Sequence, residues 1–217
     1  MGNVGLDPDS IRIVPMEEGD APVVGRLYRQ AIPWAIISKL GTGFAARFLY
    51  WLHCQENSRI WVAKDRQGQI LGITGSTLDK PKAYGRILRE HRLEVAARFL
   101  LNLYRPAVLK WLFYTIQERI RSGTTVDRTV PQPAADWLFL ALVPQARGSG
   151  LADGLFQQIE ADLRAWGLKG PYLYLVLKDN IAANKLYQRL GAKFIMQYRS
   201  RGHLINEYHK ELSPVAE

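Results

Sequence analysis

The stretch Val143-Pro144-Gln145-Ala146-Arg147-Gly148-Ser149-Gly150-Leu151 is read through what flanks it. Before it, the apolar run Trp137-Leu138-Phe139-Leu140-Ala141-Leu142-Val143 has the character of a buried strand. After it, Leu151, Leu155, Ile159 and Leu163 recur at helical spacing through Trp166. A strand therefore runs into a glycine-rich turn, and the turn opens a helix. Gly148 and Gly150 carry no Cβ, so the backbone there can come close to a ligand. The helix start leaves N–H donors free and carries partial positive charge. Strand, turn and helix start together predict an anion site suited to phosphate.

A second pattern follows at a fixed distance. Gly170-Pro171 is a turn and Tyr172 to Leu177 a strand. Then comes Asn180-Ile181-Ala182-Ala183-Asn184-Lys185-Leu186-Tyr187-Gln188-Arg189-Leu190-Gly191, with Phe194 beyond it. The first pattern, Gln145-x-x-Gly148-x-Gly150, resembles the pyrophosphate-binding signature of the GNAT superfamily of N-acetyltransferases. The second resembles the Asn-x-x-Ala-x-x-x-Tyr-x-x-x-Gly segment of the same superfamily. The likeness spans about Trp137 to Arg201. It implies an α/β (α+β) GNAT fold, with a central mixed, mostly antiparallel sheet of six to seven strands flanked by helices. It also implies acetyl-CoA as co-substrate. Leu142 and Val143 would lie beside pantetheine, with a strand N–H polarising the thioester carbonyl. Pro144 has no N–H and cannot be that donor. The backbone of Gln145, Ala146, Arg147, Gly148, Ser149, Gly150 and Leu151 would hold the pyrophosphate, and Asn180 and Ala183 would contact the cofactor from the next helix. Arg147 either adds charge to a phosphate or is simply solvated, and Asn180 reads equally as the cap of its helix.

The whole chain sets outer bounds. Its 217 residues, 47% hydrophobic and 23% charged, have the composition of one globular domain with a real core. No apolar run is long enough to span a membrane, and no signal peptide is seen at the start, so the expectation is a cytoplasmic protein. Met1-Gly2 begins a myristoylation motif, but Leu6 stands where that motif needs Ser or Thr. Cys54 is the sole cysteine and reads as a small hydrophobe. The four histidines have no metal-ligand spacing, and no metal is expected.

Ile11 to Val14 is a first strand, after a loose terminus over Asp7 to Ser10. Asp20 is set as the N-cap of a first helix that Pro33 ends, and a second helix runs from about Gly43 to Cys54. In the family these helices wall the acceptor site, which makes Ala31 to Leu40 the candidate for substrate contact. Ile60 to Ala63 and Ile70 to Thr74 form a hairpin around Asp65-Arg-Gln-Gly68. Residues 78–136 then form a helical insertion within a single domain spanning 1–217, where compact family members have a short turn. The middle of the insertion reads as a helical hairpin broken at Pro106. Between Lys80 and Arg121 there are ten Lys or Arg against three Glu, a net +7 of the chain's +9. The basic hairpin is read as packed on the core with a solvated face, as a field drawing an acidic acceptor, or as a peripheral membrane contact through 92–121. Its apolar surface also suits a homodimer. No nucleic-acid-binding pattern is present. Gly123 to Ala135 returns to the fourth strand. Phe194 to Arg199 and Ile205 to Lys210 are two further strands around Gly202, before a frayed end at Ser213 to Glu217.

The chemistry implied is direct attack of a primary amine on the thioester of acetyl-CoA or another short acyl-CoA, with a small-molecule amine such as an amino sugar or nucleotide-linked sugar as acceptor. Tyr187 sits where the family commonly places a tyrosine near the CoA sulfur, and a phenol can protonate a departing thiolate. Its other reading is a packed helix tyrosine. Asp136 is a candidate base, with Asp79 and Glu17 behind it, and each also reads as a plain surface carboxylate. Relatives that acetylate protein N-termini carry a glutamate at the place of Leu175, which cannot accept a proton. Transfer to a protein or peptide amine, and a non-catalytic acyl-CoA-binding module, are the alternatives.

Overall fold

The computed structural model describes residues 11–121 and 131–212. The expected loose terminus at 7–10, part of the return at 123–135 and the frayed end at 213–217 lie outside the described residues. Strands β1 (Arg12–Pro15), β2 (Ser58–Lys64), β3 (Ile70–Thr77), β4 (Asp136–Leu142), β5 (Tyr172–Leu177), β6 (Lys193–Ser200) and β7 (His203–Lys210) form one sheet in the order β1-β2-β3-β4-β5-β7-β6. Every pairing is antiparallel except β4 with β5. The helices are α1 (Ala21–Ala31), α2 (Ile36–Lys39), α3 (Thr42–His53), α4 (Lys80–Glu90), α5 (Arg92–Leu100), α6 (Pro106–Arg121), α7 (Leu151–Ala165) and α8 (Ile181–Arg189).

Strand alternation distributes the core over two faces. On one, Val24 and Tyr28 of α1 and Phe44, Phe48 and Leu52 of α3 bury against Ile60, Val62, Ile73 and Phe139. On the other, Leu163 and Ile159 of α7 and Tyr187 of α8 close over Trp137, Tyr172, Tyr174 and Tyr208. Asp20 differs from its expected role. It precedes α1, but its carboxylate accepts from the Glu17 N–H at 2.9 Å and from Lys64 Nζ at 2.8 Å, not from an α1 N–H. Pro22 in the first turn of α1 has no N–H to offer, which removes one donor the cap would serve.

Where a two-helix hairpin was expected between β3 and β4, three helices form. Asp79 accepts from the Lys82 N–H at 2.9 Å and so starts α4. Ala83 and Ile87 bury the inner face of α4, and Tyr84 meets Phe48 edge-on with ring centroids 5.3 Å apart. Ala83, Tyr84, Ile87 and Leu88 fall at helical spacing, a signal that the two-helix reading of the insertion left unused. The next helix, α5, ends at Leu100, so Asn102 and Arg105 lie in the turn before α6. Asn102 Nδ2 donates to the Arg98 carbonyl at 2.7 Å, and Arg105 reaches the Lys39 carbonyl at 3.3 Å. Val95, Phe99, Leu103 and Val108 pack on the core, while most of the other large apolar side chains here face outward.

Candidate active site

The parallel β4–β5 contact is short. Only Asp136 with Leu173 and Trp137 with Tyr174 are in register, and beyond them the strands part. The wedge they leave is roofed by the start of α7 and by α8, and it opens as a cleft of about 780 Å³. Leu140, Ala141 and Leu142 of β4 line it, as do Ala146, Arg147, Gly148 and Gly150 of the turn and Asn180, Ala183 and Leu186 of α8.

The turn is fixed by backbone conformation. Gly148 and Gly150 have φ of +80° and +82°. A Cβ on either would meet no protein atom within 4 Å, so left-handed backbone is what selects glycine here. Ser149 braces the turn: its hydroxyl donates to the Ala146 carbonyl at 2.8 Å and accepts from the Leu151 N–H at 3.4 Å. Leu151 is buried and anchors the start of α7. Among the described residues the N–H groups of Gly148, Ser149, Gly150 and Ala152 have no acceptor. Four unsatisfied donors at the positive end of a 15-residue helix are what a pyrophosphate needs.

Strand parity decides which β4 donors face the wedge. The Val143 N–H donates to the Leu71 carbonyl of β3 at 2.9 Å, so Val143 is spent on the sheet and does not line the cleft. Alternate residues of a strand direct their N–H groups to opposite sides. Leu142 and Leu140 therefore point theirs away from β3, into the gap. Gln145 is exposed and stands off the cleft. Arg147 lines it and is exposed. Asn180 fills both of its expected places: its Oδ1 caps α8 by accepting from the Ala183 N–H at 3.2 Å, and it also lines the cleft.

Tyr187 lies under the cleft wall at the vertex of the wedge. Its ring stacks on Tyr174 at 4.6 Å and meets Trp137 edge-on at 5.4 Å, the two residues of the last registered pair. Burial pushes its hydroxyl pKa up, and no described residue hydrogen-bonds that hydroxyl. Asp136 is elsewhere. It is 5% exposed, not a surface carboxylate, and Lys80 Nζ of α4 holds it at 3.0 Å. Burial raises its pKa, Lys80 opposes this, and the Glu207 charge adds to the rise. Asp136 lines no cavity described here. Asp79 is the α4 cap and Glu17 is the cap of the 3-10 turn at Glu18–Asp20, so neither belongs to the cleft.

Sequence reasoning passed over three parts of the site. Asn184, inside α8, is a hub. Its Nδ2 donates to the Leu177 carbonyl at 2.9 Å, and its Oδ1 accepts from Asn206 Nδ2 and the Tyr208 hydroxyl, both at 2.8 Å. An asparagine in mid-helix is the signal that could have found it. Arg189 closes one end of the cleft on Asp153 at 2.7 Å. The third part is a second cavity of about 200 Å³, lined by Trp34, Ala35, Leu175, Leu177, Tyr198, Ser200, Arg201, His203 and Ile205. Ala31 lines the first cavity and Trp34 and Ala35 the second, so the connection from α1 to α2 is shared by both. Glu207 stands directly across from Leu175 on β7, fully buried, with Oε1 2.8 Å from His209 Nε2. Among the described residues no three His, Cys, Asp or Glu side chains group as a metal site.

The sheet of seven strands splays at β4–β5, and a glycine turn feeds α7 at the splay. Residues 111–192 match the family model described as the acetyltransferase (GNAT) family. The fold matches a GCN5-related N-acetyltransferase from Kribbella flavida, with TM-score 0.60, 18% identity, and 95% of this chain and 100% of that chain covered. It matches yncA from Salmonella typhimurium, solved with its cofactor acetyl-CoA, with TM-score 0.57, 13% identity and coverage of 96% and 97%. It also matches the spermidine/spermine N-acetyltransferase SpeG from Vibrio cholerae, with TM-score 0.53, 14% identity and coverage of 93% and 94%. No curated protein matches. The chain has the fold of GNAT N-acetyltransferases, and its segment 111–192, which forms most of the cleft, matches the GNAT family model.

Proposed function

We propose that the protein transfers an acetyl group from acetyl-CoA to the primary amine of a small molecule of about sugar size. The wedge is the observation that carries this reading. The unpaired N–H groups of Gly148, Ser149, Gly150 and Ala152 receive the pyrophosphate. The pantetheine arm runs back along β4 past the inward N–H groups of Leu142 and Leu140, and the thioester comes toward the vertex. A strand N–H there stabilises the oxyanion that forms when the amine attacks. Tyr187, at the vertex, gives its proton to the departing thiolate as the C–S bond breaks, and the proton shed by the attacking nitrogen passes to solvent, from which Tyr187 is reprotonated.

The second cavity receives the acceptor. Its 200 Å³ is below the roughly 300–1,000 Å³ of pockets that hold drug-sized ligands. Trp34 and Tyr198 offer ring faces, on which the apolar side of a sugar ring packs. No carboxylate is among its lining residues, and Arg201 is a cation. That composition disfavours a polyamine and favours an acceptor with an acidic or neutral substituent beside its amine. Isotopically labelled acetyl-CoA offered with amino sugars, amino acids, polyamines and peptides in separate reactions tests the assignment. Label in an amino sugar or another small neutral or acidic amine supports it. Label confined to peptides or polyamines overturns it. Binding of acetyl-CoA with no labelled product from any class returns the protein to the acyl-CoA-binding alternative.

A further inference from the structure

The insertion between β3 and β4 exposes an unusual set of side chains. Leu93 is 80% exposed, Tyr104 74%, Leu100 and Leu101 67% each and Phe113 61%, with Leu88, Leu109 and Ile116 close to half. These eight make up most of the exposed large hydrophobics among the described residues. On α6 the pattern is regular. Leu109, Phe113 and Ile116 follow at i, i+4 and i+7 and face outward, while Val108, about a quarter-turn round the helix, is fully buried. On α5 the same division holds, with Leu93 and Leu100 outward and Val95 and Phe99 packed on the core. Arg86, Arg89, Arg92 and Lys110 are exposed among these apolar tips.

We infer that this face docks on an anionic lipid bilayer. Large apolar side chains interleaved with exposed cations are complementary to a surface whose outer layer is anionic and whose interior is hydrocarbon. Charge argues against the obvious rival occupant, a second copy. In a two-fold dimer the same patch meets itself. A segment of net +7 would then lie against its own charge, with only Glu90, Glu94 and Glu118 to offset ten cations. No described helix is long and apolar enough to cross a membrane, so the contact is peripheral. The face also adjoins the acceptor cavity. Trp111 of α6 holds the Arg201 guanidinium 4.9 Å from its ring centroid, Glu118 accepts from the Arg201 N–H, and Arg201 lines that cavity.

Vesicle co-sedimentation of the full chain tests the inference, independently of the acyl-transfer reading. Vesicles of phosphatidylcholine alone are compared with vesicles holding about one-third phosphatidylglycerol, at about 0.1 M and about 0.5 M salt. One variant removes apolar tips (Leu100→Ser with Phe113→Ser) and another reverses charge (Arg92→Glu with Lys110→Glu). A native circular-dichroism spectrum and a cooperative thermal melt, recorded on each, establish that the variants fold. The expected result is sedimentation with the anionic vesicles only, weakened by salt and reduced at least tenfold in each folded variant. No binding of the unaltered chain to anionic vesicles, or binding that both folded variants retain, overturns the inference. A dimer in sedimentation velocity that Phe113→Ser abolishes, without vesicle binding, overturns it in favour of a second copy.

Discussion

Tyr187 is held on three sides by rings, and this packing sets what its proton can do. Burial raises its pKa, so the hydroxyl stays protonated across the working range and loss of its proton puts no alkaline limb on the rate below about pH 10. Tyr187→Phe keeps the ring stack on Tyr174. It is expected to lower kcat by about a hundredfold while leaving the acetyl-CoA Kd nearly unchanged, and single-turnover rates with calorimetry separate the two. His53 carries a different pH signal. Its Nδ1 accepts from the Ile60 N–H at 3.1 Å, and its pKa is lowered first by burial and then by the Arg59 charge. A folded pKa below the unfolded one means that the stability is present above about pH 6.5 and is lost as pH falls through the folded value. His53→Ala should cost about 1–2 kcal/mol at pH 7.5, because the Ile60 N–H loses its acceptor. It should also flatten the fall in melting temperature between pH 7.5 and pH 5, and equal slopes in the two proteins would refute the assignment. Reading at this scale depends on neighbours the sequence does not name. Leu142 and Val143 look alike as letters, and only the bond from Val143 to Leu71 separates the inward N–H from the one spent on β3. Asp136 looked like a free carboxylate because its partner, Lys80, lies 56 residues away in sequence and only the fold brings the two together.

At the scale of elements, two glycines separate positions the backbone constrains from positions it does not. Gly150 is the left-handed residue before α7. Gly150→Val should cost about 1–3 kcal/mol in stability from forced backbone strain and weaken acetyl-CoA binding by at least tenfold, since the freed N–H groups lose their common aim. Gly85 lies inside α4, its φ is not in the left-handed range, and a Cβ there meets nothing within 4 Å. Gly85→Ala should therefore stabilise the protein by about 0.5–1 kcal/mol. Denaturant melts of both variants decide the matter. The elements most readable in the sequence were β4, the turn, α7, β5 and α8, because their order joins a change of period to residues with one backbone role each. The insertion was less readable. Its helices share their apolar residues between the core and an outward face, so periodicity marks a helix without saying which side is buried. The smaller cavity was hardest to foresee, since Trp34, Leu175, Tyr198 and His203 come from four segments that only the fold brings together.

For the whole molecule, the insertion and the wedge divide the labour. The inner residues of α4 and α5 belong to the core under α3, and the outer residues of α5 and α6 form the face assigned to lipid. An acceptor cavity beside that face would open near the headgroup layer. The wedge has a consequence for folding free energy. The antiparallel set β1-β2-β3-β4 and the set β5-β7-β6 are joined through the backbone ladder at two registered positions, so they are nearly two sheets sewn by a short seam. In the proposed pose, a pantetheine arm bonded to Leu140 and Leu142 on one side of the gap would lengthen that seam, as an added strand would. The melting temperature should therefore act as a gauge of cofactor supply, with stability rising by about 2.7 kcal/mol when acetyl-CoA reaches one hundred times its Kd. In hydrogen exchange the gain should appear in β5 and β7 as well as in β4. Cells poor in the acyl donor would then hold the protein in its loosest state, where proteases reach it first, and its abundance would follow the supply of its own co-substrate.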